Sequence, residues 1–336
     1  MTDNIASNGT TDLFASFREP AWHRLGTVFD DEVTDYRVML ERAGLSGWNV
    51  RGLDVAAVTD GGVMLDADWT VSPQAIVATI GERERVLGIT GDRYTIVQNE
   101  EAFAFLESLH DGARWETAGA IKQGKVVFGS MAFDRDFVLD ADGVADVVKS
   151  YLLVYTSHDG STGVAGGVTP TRVVCQNTLN VAQKDAKQTF KIRHTAKAEE
   201  RMKAEAELFR NANAYMDAFE KSAQALYATA ATDKAYFDIV ADLFPKPEAD
   251  VKGALTKWEK RQETFTQAWK GEPNAGIRGT AWGVFNALTE ANQWGRNTQA
   301  GRANGAENFA AAGAGFDGPT NAFRNLAFDK AMSLVK

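Results

Sequence analysis

The rhythm of apolar and polar positions changes once along the chain, near Thr195. Before that point, β-branched and aromatic residues come in short runs cut by glycine or charge, which predicts strands. "WNVRGLDVAAV" (48–58), "AIVATI" (75–80), "RVLGIT" (85–90) and "RYTIV" (93–97) make a first set. "TGDR" (90–93) predicts a tight turn between the last two, with Gly91 supplying a positive φ. Asn99 reads as a helix N-cap, followed by Glu100 and Glu101 where a helix dipole favours acids. Phe103, Leu106 and His110 share a face, so 100–110 reads as a short helix packed on these strands.

A second strand set follows. "AGAIKQGKVVFGSMAF" (118–133) folds at a Gln-Gly turn, and "VADVVKSYLLVYTS" (144–157) is one long strand. "TGVAGGVTP" (162–170) continues the sheet, its glycines predicting close approach of another backbone. "TRVVCQNTLNVAQ", after Pro170, is expected to turn into a helix, and "QTFKIRH" (188–194) to close the sheet.

From Thr195 to Ala228 there is neither Gly nor Pro, and Met202, Phe209, Met216 and Ala223 recur every seventh residue. Ala212, Phe219 and Leu226 supply the offset positions of a long amphipathic helix. Further helices are predicted over 234–244, 251–270, 279–294 (capped by Thr280) and 321–335, with a Gly/Ala/Asn-rich flexible loop at 295–321. The expected fold is α+β. A flexible tail (1–20) precedes an antiparallel β-rich module, a strand meander plus helix (21–193). A helical region (194–294), the loop and a closing helix follow, and the β-rich module packs against the helical half.

With 336 residues, 44% of them hydrophobic, the chain can bury a large core. A single cysteine excludes an internal disulfide and suits a reducing cytoplasm. No apolar run is long enough to span a membrane, and the start lacks the order of a signal peptide. A net charge of -9 does not advertise nucleic-acid binding. The charge is uneven, however. Lys184, Lys187, Lys191, Arg193, Lys197, Arg201 and Lys203 stand against three acids between 184 and 203. Such a strip is ordinarily a solvated face; beside a polar segment it can also extend a positive surface.

That polar segment is "SHDGSTGVAGGVTPTRVVCQNTLN" (157–180). Cys175, His158 and Asp159 have the chemistry of a nucleophile, a base and an orienter. Adjacent residues on a strand point to opposite faces, though, and Cys175 lies in an apolar run, which predicts a buried, inert thiol. The scattered histidines make no metal site, no cofactor is implied, and neither a P-loop nor a dinucleotide fingerprint is present. A ligand-reading surface asks less. Tyr94, Ser157, His158, Arg172, Asn177, Lys191, Arg193, His194 and Lys197 could hydrogen-bond, stack on or neutralise a single-stranded nucleic acid, and Trp258 or Trp269 could add stacking. A polar loop with satisfied core groups weighs about as much as that surface.

"WHRLGTVFD", "VLGITGDRYTIVQNEEAFAFLESL", "SHDGSTGVAGGVTPTRVVCQNTLNVA", "IRHTAKAEERM" and "GTAWGVFNALTE" occur in this order. Together they resemble the phage/plasmid-like proteins called domain of unknown function 932, over about residues 20–330. The resemblance implies a home on phages, prophages or plasmids, hence the cytoplasm of a bacterial host cell, and no particular reaction. It marks Trp22, His23, Gly26, Tyr94, Gln98, Asn99, His158, Asp159, Gly160, Arg172, Cys175, Asn177, Thr178, Arg193 and His194 as motif positions. The order of strands and helix is also similar to that of phage single-strand annealing proteins of the Erf and RecT kind. The expectation is a DNA-metabolism protein that binds single strands, annealing them as a homo-oligomer. The alternatives are a hydrolase or transferase using His158, Asp159 and Cys175, and a non-catalytic accessory interaction protein.

Overall fold

A computed structural model describes residues 5–9, 12–18, 26–65, 72–109, 112–140, 142–172, 177–178, 189–209, 212–248, 253–294 and 319–335. Its centre is a sheet built around β11 (Asp146–Ser157). β12 (Val164–Arg172) and β9 (Val126–Ala132) flank it, and β8 (Arg114–Ile121), β1 (Phe14–Phe17) and β2 (Thr27–Phe29) continue beyond β9. β10 (Phe137–Leu139) joins β11, while β13 (Asn177–Thr178) and β14 (Thr189–Ile192) join β12. All pairs are antiparallel except β1 with β2. The expected turn between β8 and β9 falls at Lys122–Gly124, and the glycines of β12 do admit close backbone: a Cβ on Gly166 would lie 1.9 Å from the Leu153 carbonyl oxygen.

Alternation decides what each face buries. Val148, Leu152 and Val154 of β11, with Val127 and Met131 of β9, point into the main core. Helix α2 (Asn99–Glu107) lays Phe103 and Leu106 on that face, with Phe103 stacked on Trp115 at 4.9 Å. On the other face Leu153, Tyr155, Phe128 and Phe14 form a second, smaller cluster, against which Ile5 packs. The early chain is therefore more than a tail. Ala6 and Leu13 are buried, Ile5 bridges to Ile121, and β1 enters the sheet.

A three-stranded sheet of β3 (Arg51–Asp54), β6 (Pro73–Ile80) and β7 (Arg83–Gly91) turns Ile76, Ala78, Ile80 and Leu87 into the same core. The short strands β4 (Ala57–Val58) and β5 (Met64–Leu65) pair beside it. Two expectations fail here. "RYTIV" (93–97) forms no strand, because Thr95 spends its backbone on His194; and the 90–93 turn, closed from Tyr94 N to the Gly91 carbonyl, is not a hairpin turn. The true hairpin joins β6 to β7, with Gly81 at φ 64°.

Helix α1 (Tyr36–Arg42) packs beside α2. The second half is helical: α3 (Ala198–Phe209), α4 (Ala212–Ala228), α5 (Asp233–Leu243), α6 (Ala254–Lys270), α7 (Glu272–Ala275), α8 (Ala281–Trp294) and α9 (Pro319–Met332). The heptad positions Met216, Phe219, Ala223 and Leu226 are buried along α4. Thr280 caps α8 by accepting from Gly283 N at 3.0 Å. In α8, Trp282, Val284, Phe285, Ala287 and Leu288 are all buried, as befits a central helix, and α4, α6 and α9 pack on it.

One continuous core runs through both halves. Trp282 Nε1 donates to the buried Asp146 carboxylate at 2.8 Å, and Arg135 pairs with Asp217 and Glu220 of α4. The expected 295–321 loop and the helix after Pro170 fall on residues outside the described ones, apart from Thr171–Arg172 and Asn177–Thr178, which are strand, and the start of α9. No described helix is long and apolar enough to cross a membrane.

Candidate functional site

The "SHDGST" segment is where β11 reverses into β12, and its polar atoms turn back on the chain. Ser157 Oγ accepts from Thr162 N at 2.9 Å and donates to the Thr162 carbonyl at 2.9 Å. Asp159 Oδ1 accepts from Ser161 N at 2.9 Å, and Gly160 takes φ 76°. Tyr94 Oη donates to the Ser157 carbonyl at 2.8 Å, and His158 N donates to the Lys125 carbonyl at 2.8 Å. β7 crosses so closely that a Cβ on Gly88 would lie 2.6 Å from Asp159 Cα. The segment is thus fastened to two sheets.

Beneath it lies a buried polar chain. Gln98 is the N-cap of α2, and its backbone N–H donates to Glu101 at 2.7 Å. Its side-chain amide also meets both backbone groups of Val50, at 3.0 and 2.8 Å. Asn99, expected as the cap, is the first helical residue instead, and its side chain is free to turn inward. Nδ2 donates to the Leu45 carbonyl at 2.8 Å, which leaves Oδ1 to accept from His158 Nε2 at 2.9 Å. His158 is therefore neutral and protonated on Nε2. Its Nδ1 meets no donor among the described residues. Burial, then the positive charge His194 would carry, lowers its pKa to about 4, against a smaller opposing pull from Asp159.

His194 is held the same way. Nδ1 donates to the Thr95 carbonyl at 3.1 Å, so Nε2 accepts from Thr156 Oγ1 at 3.1 Å, and Thr95 N donates back to the His194 carbonyl. The Tyr94 ring stacks on it at 4.8 Å. Burial lowers the His194 pKa; the bond to Thr95 opposes this. Burial, then the Asp159 charge, raises that of Tyr94.

These positions sort the expected residues. Ser157, His158 and His194 are buried and Tyr94 is mostly covered, so as placed they support a surface rather than form one. Lys191, Arg193 and Lys197 are exposed. Arg172 and Asn177 pair through their backbones, β12 to β13. Cys175 lies outside the described residues. His158 and Asp159 bond to Asn99 and Ser161 respectively, so no hydrogen bond joins them as base and orienter. Trp269 is buried and stacked on Tyr236 at 4.5 Å, with Nε1 donating to Asp233, so it is no base-stacking platform. Trp258 is partly exposed, donates to the Phe244 carbonyl and carries Lys246 over its ring at 5.6 Å.

Sequence reasoning missed Thr95, Thr156 and the inward roles of Gln98 and Asn99. The Gln98–Glu101 spacing was the available signal. It also missed a cluster on the outer sheet face, where a bulge between Trp115 and Thr117 re-aims Glu116. Burial raises the pKa of Glu116 and of Asp136, while the charges of Lys149 and Arg114 pull both down. Among the described residues no three His, Cys, Asp or Glu are grouped to hold a metal.

No curated protein and no solved structure matches the chain. A family model does, over residues 86–312, which include most of β7, α2, the 157–162 turn, the basic strip and α8. That span exceeds half the chain, and the protein belongs to the family described as Domain of unknown function (DUF932).

Proposed function

We propose that this chain binds single-stranded nucleic acid along the cationic strip that runs from β14 into α3. The observation that carries this reading is an alternation. Phe190, Ile192 and His194 are buried, whereas Lys191 and Arg193 between them are exposed; Lys197, Arg201 and Lys203 continue the exposed side. Cations mounted on a strand whose alternate side chains are locked into a core have their backbone spacing fixed before binding, so only their side chains remain to be ordered, which suits a regularly charged backbone. The Tyr94–His194 stack and the His158–Asn99 bond serve this surface from below by fixing β14 and the β11–β12 turn. The resemblance to phage and plasmid proteins supports a place in the DNA metabolism of a mobile element, in annealing or recombination.

Titration with single-stranded DNA across a salt series tests the reading. Affinity is expected to fall with salt at a log–log slope of about -0.7 per phosphate neutralised. Changing Lys191 and Arg193 together to Ala is expected to weaken binding and flatten the slope by about one unit or somewhat more. Undetectable binding by the wild type at low salt rejects the proposal, and binding indifferent to the double substitution moves the site away from β14.

A further inference from the structure

Strand β7 borders the three-stranded sheet and, among the described residues, pairs with β6 on one side and with no strand on the other. Its outer face is apolar in an unusual degree: Val86 is 62% and Ile89 57% exposed, beside Leu53 at 45%. Leu53 and Ile89 both pair with Ala75, so they share that face. Arg83 opens the strand, after Glu82 in the β6–β7 turn, and Asp92 and Arg93 follow Gly91 in the turn past its other end. All four are exposed and unpaired among the described residues.

We propose that a second copy of this chain pairs its β7 with this one, antiparallel, about a two-fold axis between Leu87 and Gly88. In that register Val86 faces Ile89 of the second copy, and Arg83, at the start of the strand, comes beside Asp92 in the turn that follows Gly91 of the second copy. Glu82 comes next to Arg93 of the second copy. By symmetry each contact occurs twice, so the apolar pairs sit at the centre and opposite charges meet at both ends.

The β7 bulge is what lets these side chains share a face. Between the Ile76–Gly88 and Val77–Val86 pairs, β7 carries one residue more than β6, Leu87. Leu87 is 1% exposed, and Gly88 also faces inward, onto Asp159. In a regular strand, residues three apart point to opposite faces and cannot meet across an antiparallel pair; the bulge returns Val86 and Ile89 to one face. Bulges and charges at an edge ordinarily deter pairing with other chains. These charges deter a strand of unrelated sequence and complement a copy of their own. Pairing turns two three-stranded sheets into one six-stranded sheet and joins their exposed apolar faces. The interface is small, so the association depends on concentration.

Sedimentation velocity on the full chain over a concentration series tests this. A monomer–dimer equilibrium is expected. Arg83→Glu and Asp92→Arg, made singly, each set like charges opposite one another twice, and each is expected to weaken the dimer about tenfold or more. An equimolar mixture of the two variants is expected to recover wild-type association, because each changed position then meets the other. Circular dichroism checks that both variants, changed only at exposed sites, stay folded. A wild type that remains monomeric throughout overturns the proposal. So does a dimer that ignores both substitutions, or a mixture no tighter than the variants alone.

Discussion

The turn at 157–162 and the strip at 191–203 draw on the same kinds of residue and place them oppositely. In the turn, Ser157 and His158 face inward and give their hydrogen bonds to Thr162, Lys125 and Asn99. In the strip, Lys191, Arg193 and Lys197 face water, while the one inward histidine, His194, is taken up by Thr95 and Thr156. Polarity alone did not separate fastening from surface. What separates them is which face of the strand a residue occupies, and whether a distant backbone group waits there.

This contrast is broken most directly by removing the fastening. His158→Ala leaves a cavity in a fully buried site and strips Asn99 Oδ1 of its donor. Loss of about 3 kcal/mol or more is expected from cavity and unpaired acceptor together, whereas the Lys191 and Arg193 double change to Ala should stay within about 0.5 kcal/mol, as exposed sites do. Urea midpoints at constant slope measure both. Equal effects at the two places would erase the distinction.

How much of this was legible is best judged residue by residue. The alternation of 188–194 was readable as a strand, and the seven-residue spacing from Met216 to Ala223 as a buried seam, because both are local periodicities. The destination of the polar motif was not readable. Asn99 meets His158 across 59 positions of sequence, and Thr95 meets His194 across 99, and no local pattern encodes such distances. The same limit hid the role of "RYTIV": its β-branched residues suit a strand, yet its backbone bonds to His194 rather than to a ladder. "MTDNIASNGTTD" looked like a tail because its polar residues outnumber the Ile5 and Ala6 that pack on the sheet.

Acid sharpens the comparison without a cavity. The native state holds the His158 pKa at about 4, against an ordinary 6.5. Its contribution is fully present above pH 6.5. As pH falls from there towards 4 the unfolded chain takes up a proton that the folded chain refuses, so stability is lost across that window, by about 3 kcal/mol for this group. His194, also lowered by burial, acts in the same direction. His158→Phe keeps an apolar ring in place and titrates no proton. It should lower stability at neutral pH but flatten the decline between pH 6.5 and 4. Urea midpoints that fall as steeply in this variant as in the wild type would show that His158 is charged, or exposed, in the folded protein.

The smallest effect is expected at Glu116, on the outer sheet face, and it has the opposite sign. Burial raises this carboxyl above its ordinary value of 4.5, so the folded state holds its proton more tightly than the unfolded one. Such a group supports the fold most at low pH and loses that support as pH rises through the raised value. At neutral pH the charge is partly buried beside the Asp136 carboxylate, and Lys149, Arg114 and Arg18 offset some of the penalty without abolishing it. Glu116→Gln removes the charge and keeps the shape. It should raise the neutral-pH midpoint slightly and leave the midpoint near pH 4 almost unchanged. A variant less stable at neutral pH would mean that the cations around Glu116 gain more from its charge than burial takes away, and the bulge would then be a place where this sheet stores an ion pair.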